Sequence, residues 1–232
     1  LLGTATRTQA YWDGEKWVPT GLDGDKTGTQ VYSLGHHRGK LVAGTWPEGK
    51  VYQYEGGTNW TSTGRLGEEQ EIMSSNHYNG KLYAGSLPMA EIFRYDGGEG
   101  WNSVGRVDLT PKVIYRRAYS MAVFKGRLFS GTFPSGHIRS FEAGKVVSHD
   151  RELKHGWRHI AAVKAGGKLR LFIDGKQVAE SENFDAKSFD LSNDAPLRIG
   201  FGQYNHFKGQ IKDVRLYGRA LTKSEVNKMQ TN

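Results

Sequence analysis

Apolar and polar positions in this chain alternate over short stretches instead of recurring every three to four residues, and glycine-centred turns punctuate the stretches. That pattern predicts strands. Three segments carry it in register: LGHHRGKLVAGTWPEGKVYQYEGGTNWTSTGRL from Leu34, SNHYNGKLYAGSLPMAEIFRYDGGEGWNSVGRV from Ser75, and MAVFKGRLFSGTFPSGHIRSFEAGKVVSHDREL from Met121. Their turn glycines, Gly39, Gly80 and Gly126, lie 41 and then 46 residues apart. Gly44, Gly85 and Gly131 are equivalent, as are Pro47, Pro88 and Pro134, and the aromatic set Tyr54, Tyr95 and Phe141. In each copy a two-residue turn (Arg38-Gly39, Asn79-Gly80 or Lys125-Gly126) joins two apolar runs; Asn-Gly is the strongest short hairpin signal. A proline-containing break follows, where no N–H is available to a central ladder. A third strand and a Trp-led fourth complete the first two copies, whereas the third copy lacks the Trp. Tyr11 to Trp17 matches only the last hairpin of such a unit.

Four strands in about 40–50 residues is the period of a propeller blade. Residues 11–150 resemble kelch- or sialidase-type blades, and Asp96-Gly97-Gly98-Glu99-Gly100-Trp101 is similar to the Asp-box of sialidase-like propellers, with imperfect serine and glycine spacing. From Trp157 the pattern changes. Trp157–Val163 reads as a strand ending in a Gly166-Gly167 turn, and Leu169–Ile173 as a strand joined through Asp174-Gly175 to Gln177-Val178-Ala179. Pro196–Gly200 and Gly209–Tyr217 read as two more strands, and Thr222 stands three residues before Glu225, the capping-box spacing of a short helix. In this order residues 154–229 resemble the C-terminal half of laminin-G-like (concanavalin-A-like) jelly rolls, most closely at Phe207–Tyr217. The expected fold is all-β: partial propeller-type blades over residues 1–150, then a laminin-G-like β-sandwich portion over 151–232.

Composition narrows this picture. The 232 residues include 31 glycines, 6 prolines and no cysteine, so neither a collagen-like chain nor a disulfide framework is present. No run approaches the 18 or so apolar residues of a membrane-spanning helix. Of the net charge of +8, residues 1–150 carry +2 and residues 151–232 carry +6. A basic second half attracts polyanions. No dense Lys/Arg run or nucleic-acid module accompanies it, so nucleic acid is not the expected partner.

Candidate chemistry is sparse. Gly44–Val51 nearly spells a phosphate-binding loop, but Val51 stands where Ser or Thr is needed and no helix pattern follows. His36, His37 and His77 lack a metal-ligand spacing. Blade geometry brings the loop residues Trp46, Leu87 and Phe133 towards Glu68, Glu69, Glu71, Tyr115, Arg116 and Arg117. Paired arginines suit carboxylates, so Trp46, Phe133, Arg116 and Arg117 are the expected ligand-binding residues, joined by Tyr204, Asn205 and His206 in a loop of the sandwich portion.

The resemblance implies a non-catalytic, lectin-like carbohydrate-binding module in an extracellular or periplasmic setting, within a larger polysaccharide-processing protein. Its partner would be a glycan or acidic polysaccharide. One rival is a sialidase-like glycoside hydrolase using Tyr115, Arg116, Arg117 and Glu71; another is a structural protein-interaction module. No cofactor is expected; calcium enters only by analogy of fold, with Asp185, Asp190 and Asp194 available. Three and a half blades fall short of the four to eight of closed propellers, which leads to an expectation of homo-oligomers.

Overall fold

A computed structural model describes residues 10–22, 30–189, 197–202 and 205–229. Sixteen short strands and one helix are formed among them, and all strand pairs in the ladders are antiparallel. The fold is all-β, as expected. It divides into two compact units, one comprising residues 1–123, 128–141 and 198–207, the other 124–127, 142–197 and 208–232.

In the first unit, β1 (Ala10–Trp12) and β2 (Trp17–Pro19) form a hairpin. Two four-stranded meanders follow. The first is β3 (Gln30–His37), β4 (Lys40–Trp46), β5 (Lys50–Gly56) and β6 (Asn59–Arg65); the second is β7 (Glu71–Tyr78), β8 (Lys81–Leu87), β9 (Glu91–Gly97) and β10 (Gly100–Arg106). A third meander stops at three strands, β11 (Arg117–Phe124), β12 (Arg127–Phe133) and β13 (Ile138–Phe141). The opening turn has positive φ at both central residues in all three, 49° and 80° at Arg38-Gly39, 49° and 78° at Asn79-Gly80, 46° and 72° at Lys125-Gly126. This geometry matches the twist of the strands it joins, and glycine supplies the second position without a steric cost.

The repeated aromatics explain where the fourth strand forms. The Tyr54 hydroxyl donates to the Gly57 carbonyl and the Tyr95 hydroxyl to that of Gly98, each at 2.9 Å, pinning the Gly-Gly turn. Trp60 Nε1–H then donates to the Thr20 carbonyl and Trp101 Nε1–H to the Thr63 carbonyl, each at 2.8 Å, tying each fourth strand to the preceding repeat. Phe141 lacks that hydroxyl, Val147 stands where Trp60 and Trp101 stand in the other copies, and the third meander has no fourth strand. Between the first two meanders lies a core of Val42, Val51, Leu66, Ile72, Leu82, Ala84 and Phe93, all at most 4% exposed.

In the second unit, β14 (Ile160–Ala165), β15 (Lys168–Ile173) and β16 (Lys176–Glu180) form one sheet through the expected Gly166-Gly167 and Asp174-Gly175 turns. Phe172 and Val163 pack against Val226 of α1 (Lys223–Met229). The capping box forms as read: the Glu225 amide donates to Thr222 Oγ1 at 3.3 Å, and the Thr222 amide to Glu225 Oε2 at 2.8 Å.

The structure departs from the sequence reading at residues 197–200 and 209–217, which lie in no strand. A strand exists only as a paired ladder, and neither β14, β15 nor β16 pairs with these runs. Their apolar side chains are consequently open to solvent, Leu216 at 87% and Val214 at 57%.

Candidate functional site

The first strands of successive repeats lie beside one another. Ser74 Oγ–H of β7 donates to the Ala118 carbonyl of β11 at 3.4 Å, and the Asn76 side-chain amide donates to the Met121 carbonyl at 3.0 Å. Equivalent positions at the start of β3, β7 and β11 hold Gln30, Glu71 and Arg117, and two residues on stand Tyr32, Met73 and Tyr119, the first two at a register shift of their strands. Glu71 is 6% exposed, while Tyr32, Tyr119 and Phe133 are about half exposed. The Arg117 guanidinium lies over the Phe133 ring, 5.1 Å from its centroid. Burial pushes the Glu71 carboxyl above its ordinary value, and the Arg117 charge works against that. The Tyr32 phenol is also raised, first by desolvation and then by Glu71, with Arg117 opposing and Tyr119 adding to it. The result is a carboxyl, a guanidinium and three half-exposed aromatic rings, an arrangement suited to stacking on a sugar ring while hydrogen-bonding its polar groups.

The sequence-derived residues divide around this cluster. Glu71, Arg117 and Phe133 belong to it, and Trp46 ends β4 opposite Gln30. Arg116 is engaged elsewhere: its Nε–H donates to the Thr110 carbonyl at 2.7 Å and its backbone N–H to that of Pro88 at 2.8 Å, which fastens the connection between the second and third repeats. Tyr115 sits on that connection, 50% exposed, and the tyrosine whose phenol feels Glu71 and Arg117 is Tyr32, with Tyr119 beside it. Sequence reading passed over both. The available signal was their equivalent placement in the repeat, two residues after Gln30 and Arg117.

Glu69 and Asp108 are buried and have structural partners. Glu69 Oε2 accepts from Ser86 Oγ–H at 2.7 Å and from the Met89 amide at 3.0 Å. Asp108 accepts from the Thr110 amide and hydroxyl and from the Ser135 amide. Both carboxylates hold a proline-containing loop to the connector that precedes the repeat.

Tyr204 lies outside the described residues. His206 packs its ring on Phe201, centroids 4.6 Å apart, and Asn205 Oδ1 accepts the His206 amide at 2.7 Å. Of the three histidines near the repeat turns, His36 is exposed, whereas His37 and His77 are buried and stacked, with an interplanar angle of 8° and Nδ1···Nε2 at 3.0 Å. Among the described residues no three His, Asp or Glu side chains converge as a metal group. Asp185 caps a short 3₁₀ turn through the Lys187 amide and Ser188 hydroxyl, while Asp190 and Asp194 lie outside the described residues.

Residues 116–227 match the model of the concanavalin A-like lectin/glucanases superfamily. The match covers the laminin-G-like stretch and begins earlier than residue 151, taking in β11–β13. No curated protein matches the chain. Among solved structures it is similar to the computationally designed Ika4 protein, at 17% identity over 61% of this chain and 83% of that one, with a TM-score of 0.42. An S-layer domain-containing protein (residues 221-444) from Clostridium thermocellum ATCC 27405 shares 18% identity over 79% of this chain and 93% of its own, TM-score 0.29. Saccharomyces cerevisiae Sqt1 shares 13% identity over 61% of this chain and 44% of its own, TM-score 0.28. At these identities and TM-scores the likenesses carry no functional information.

Proposed function

We propose that this chain is a non-catalytic, lectin-like module that binds acidic glycans in an extracellular or periplasmic setting, its repeat meanders acting as blades of a partial propeller. The observation that carries this reading is the Glu71–Arg117 couple framed by Tyr32, Tyr119 and Phe133. Arg117 supplies the charge for a sugar carboxylate, and the half-exposed rings supply stacking faces. The lectin/glucanase match over residues 116–227 is compatible with it. A glycan array followed by calorimetric titration of the best acidic ligand tests the reading. Arg117→Ala is expected to weaken binding about tenfold or more, because a charge-assisted hydrogen bond contributes about 1.5–3 kcal/mol. An unchanged affinity would remove Arg117 from the site, and turnover of a fluorogenic sialoside would replace the binding module with a hydrolase.

A further inference from the structure

We propose, building on that reading, that Glu71 is the specificity-determining residue of the cluster: in its protonated form it donates a hydrogen bond to the sugar carboxylate that Arg117 holds, so the site takes a carboxylate sugar together with one proton. Three carboxyl side chains are buried among the described residues, Glu69 and Asp108 at 2% exposed and Glu71 at 6%. The first two are provided with donors. Glu69 accepts from the Ser86 hydroxyl and the Met89 amide, and Asp108 from the Thr110 amide and hydroxyl and the Ser135 amide. No described residue donates a hydrogen bond to the Glu71 side chain. An ionised carboxylate buried without donors is costly, and the usual relief is to stay neutral.

The groups around Glu71 leave that choice to a ligand. Arg117 of β11 is the charge that acts on it, and the Tyr32 phenol of β3 feels it in turn, with Tyr119 beside them. The other strands against β7 spend their cations elsewhere: Lys40 of β4 pairs with Glu55, Lys50 of β5 with Glu48, and Lys81 of β8 with Asp96. Arg117 is itself uncommitted, since its guanidinium lies over the Phe133 ring and forms no ion pair with a described carboxylate. A guanidinium without an acceptor and a carboxyl without a donor therefore share one site. A sugar carboxylate on Arg117 brings a second negative charge to Glu71, and two carboxylates in one site cannot both stay ionised. Glu71 takes a proton from water and donates it as an O–H···O⁻ hydrogen bond to the arriving carboxylate, the short, charge-assisted kind. No other bond changes. A sulfate ester, the anion of a far stronger acid, is a poorer acceptor for that proton and is disfavoured.

Calorimetric titration with sialyllactose and tri-galacturonate at about pH 7, in phosphate and in Tris, counts the proton, because the two buffers ionise with different heats. The wild-type chain is expected to take up close to one proton per sugar bound, and its affinity to fall by up to about tenfold per pH unit from about pH 5 to pH 8. Glu71→Gln, whose amide N–H donates without a proton, is expected to keep the affinity seen in acid, to take up no proton and to show a flat profile. Glu71→Ala is expected to be equally flat and about tenfold weaker in acid, and sulfolactose to bind the wild type about tenfold more weakly than sialyllactose. Binding that Arg117→Ala abolishes but that takes up no proton would overturn the role of Glu71 and leave the glycan-binding reading standing. So would a profile equally steep in Glu71→Gln, or sulfolactose bound as tightly as sialyllactose. Failure of wild type and Glu71→Gln alike to bind either carboxylate sugar would overturn both readings. The proton count needs no variant, so it decides even if the substitutions at this buried position fail to fold.

Discussion

The His37–His77 pair shows how burial turns two ordinary side chains into a pH-dependent contact. Desolvation lowers both imidazoles, His77 to about 4, and the neighbouring Arg38 and Lys81 charges push His37 the same way, as His37 and His36 do for His77. Tyr95 closes the side of His37 with its ring edge, centroids 5.5 Å apart. The folded state therefore favours the neutral pair, while the unfolded chain protonates near 6.5. Between those values the unfolded state binds more protons, so the pair's contribution is fully present above about pH 6.5 and is lost as pH falls towards about 4. Urea denaturation at a series of pH values should show the midpoint falling through that window, and His77→Gln should flatten the fall. A midpoint equally steep in the variant would assign the effect to other groups. Gly44 acts by shape alone. Gly44→Val is expected to cost about 1–3 kcal/mol, since Ile72 must shift to admit any side chain.

At the scale of elements, α1 is short and depends on its ends and on one buried side chain. Thr222→Ala removes the acceptor for the Glu225 amide and should cost the second unit about 1 kcal/mol. Phe172→Ala empties the centre of the Val163–Phe172–Val226 cluster and should cost about 3–5 kcal/mol, measurable as a lower denaturation midpoint. These elements were legible in the sequence because their signals are local. A two-residue turn such as Asn79-Gly80 or Asp174-Gly175 sets its own register, and Thr222 to Glu225 closes on itself. The run Gly209–Tyr217 was misread because alternation states only that a strand would suit these residues; whether one forms depends on a neighbour far away in sequence. The site was half legible for a related reason. Repeat spacing located Glu71, Arg117 and Phe133, but the partners Tyr32 and Tyr119 emerge only once β3, β7 and β11 lie side by side. Arg116, adjacent to Arg117 in sequence, is drawn into holding the Thr110 connection instead.

For the whole molecule, charge distinguishes two modes in which the proposed glycan binding would occur. The net charge of +8 is concentrated in residues 151–232, which carry 15 Lys+Arg against 9 Asp+Glu, while the aromatic cluster contributes the single cation Arg117 against Glu71. A short acidic oligosaccharide held at that cluster neutralises about one charge, so its affinity should fall with a log–log slope of about one in salt concentration. A long acidic polysaccharide that binds the Lys and Arg residues of the stretch after 150 in its own right displaces several counterions and should show a slope several times steeper, by the release argument that governs polyanions in general. Titrating both ligands across a salt series, with wild type and Arg117→Ala, separates the two contributions. Loss of the oligosaccharide with retention of a steep polysaccharide slope is the expected result for Arg117→Ala. Equal shallow slopes for both ligands would show that the basic half takes no part, leaving the Glu71–Arg117 cluster as the whole of the recognition surface.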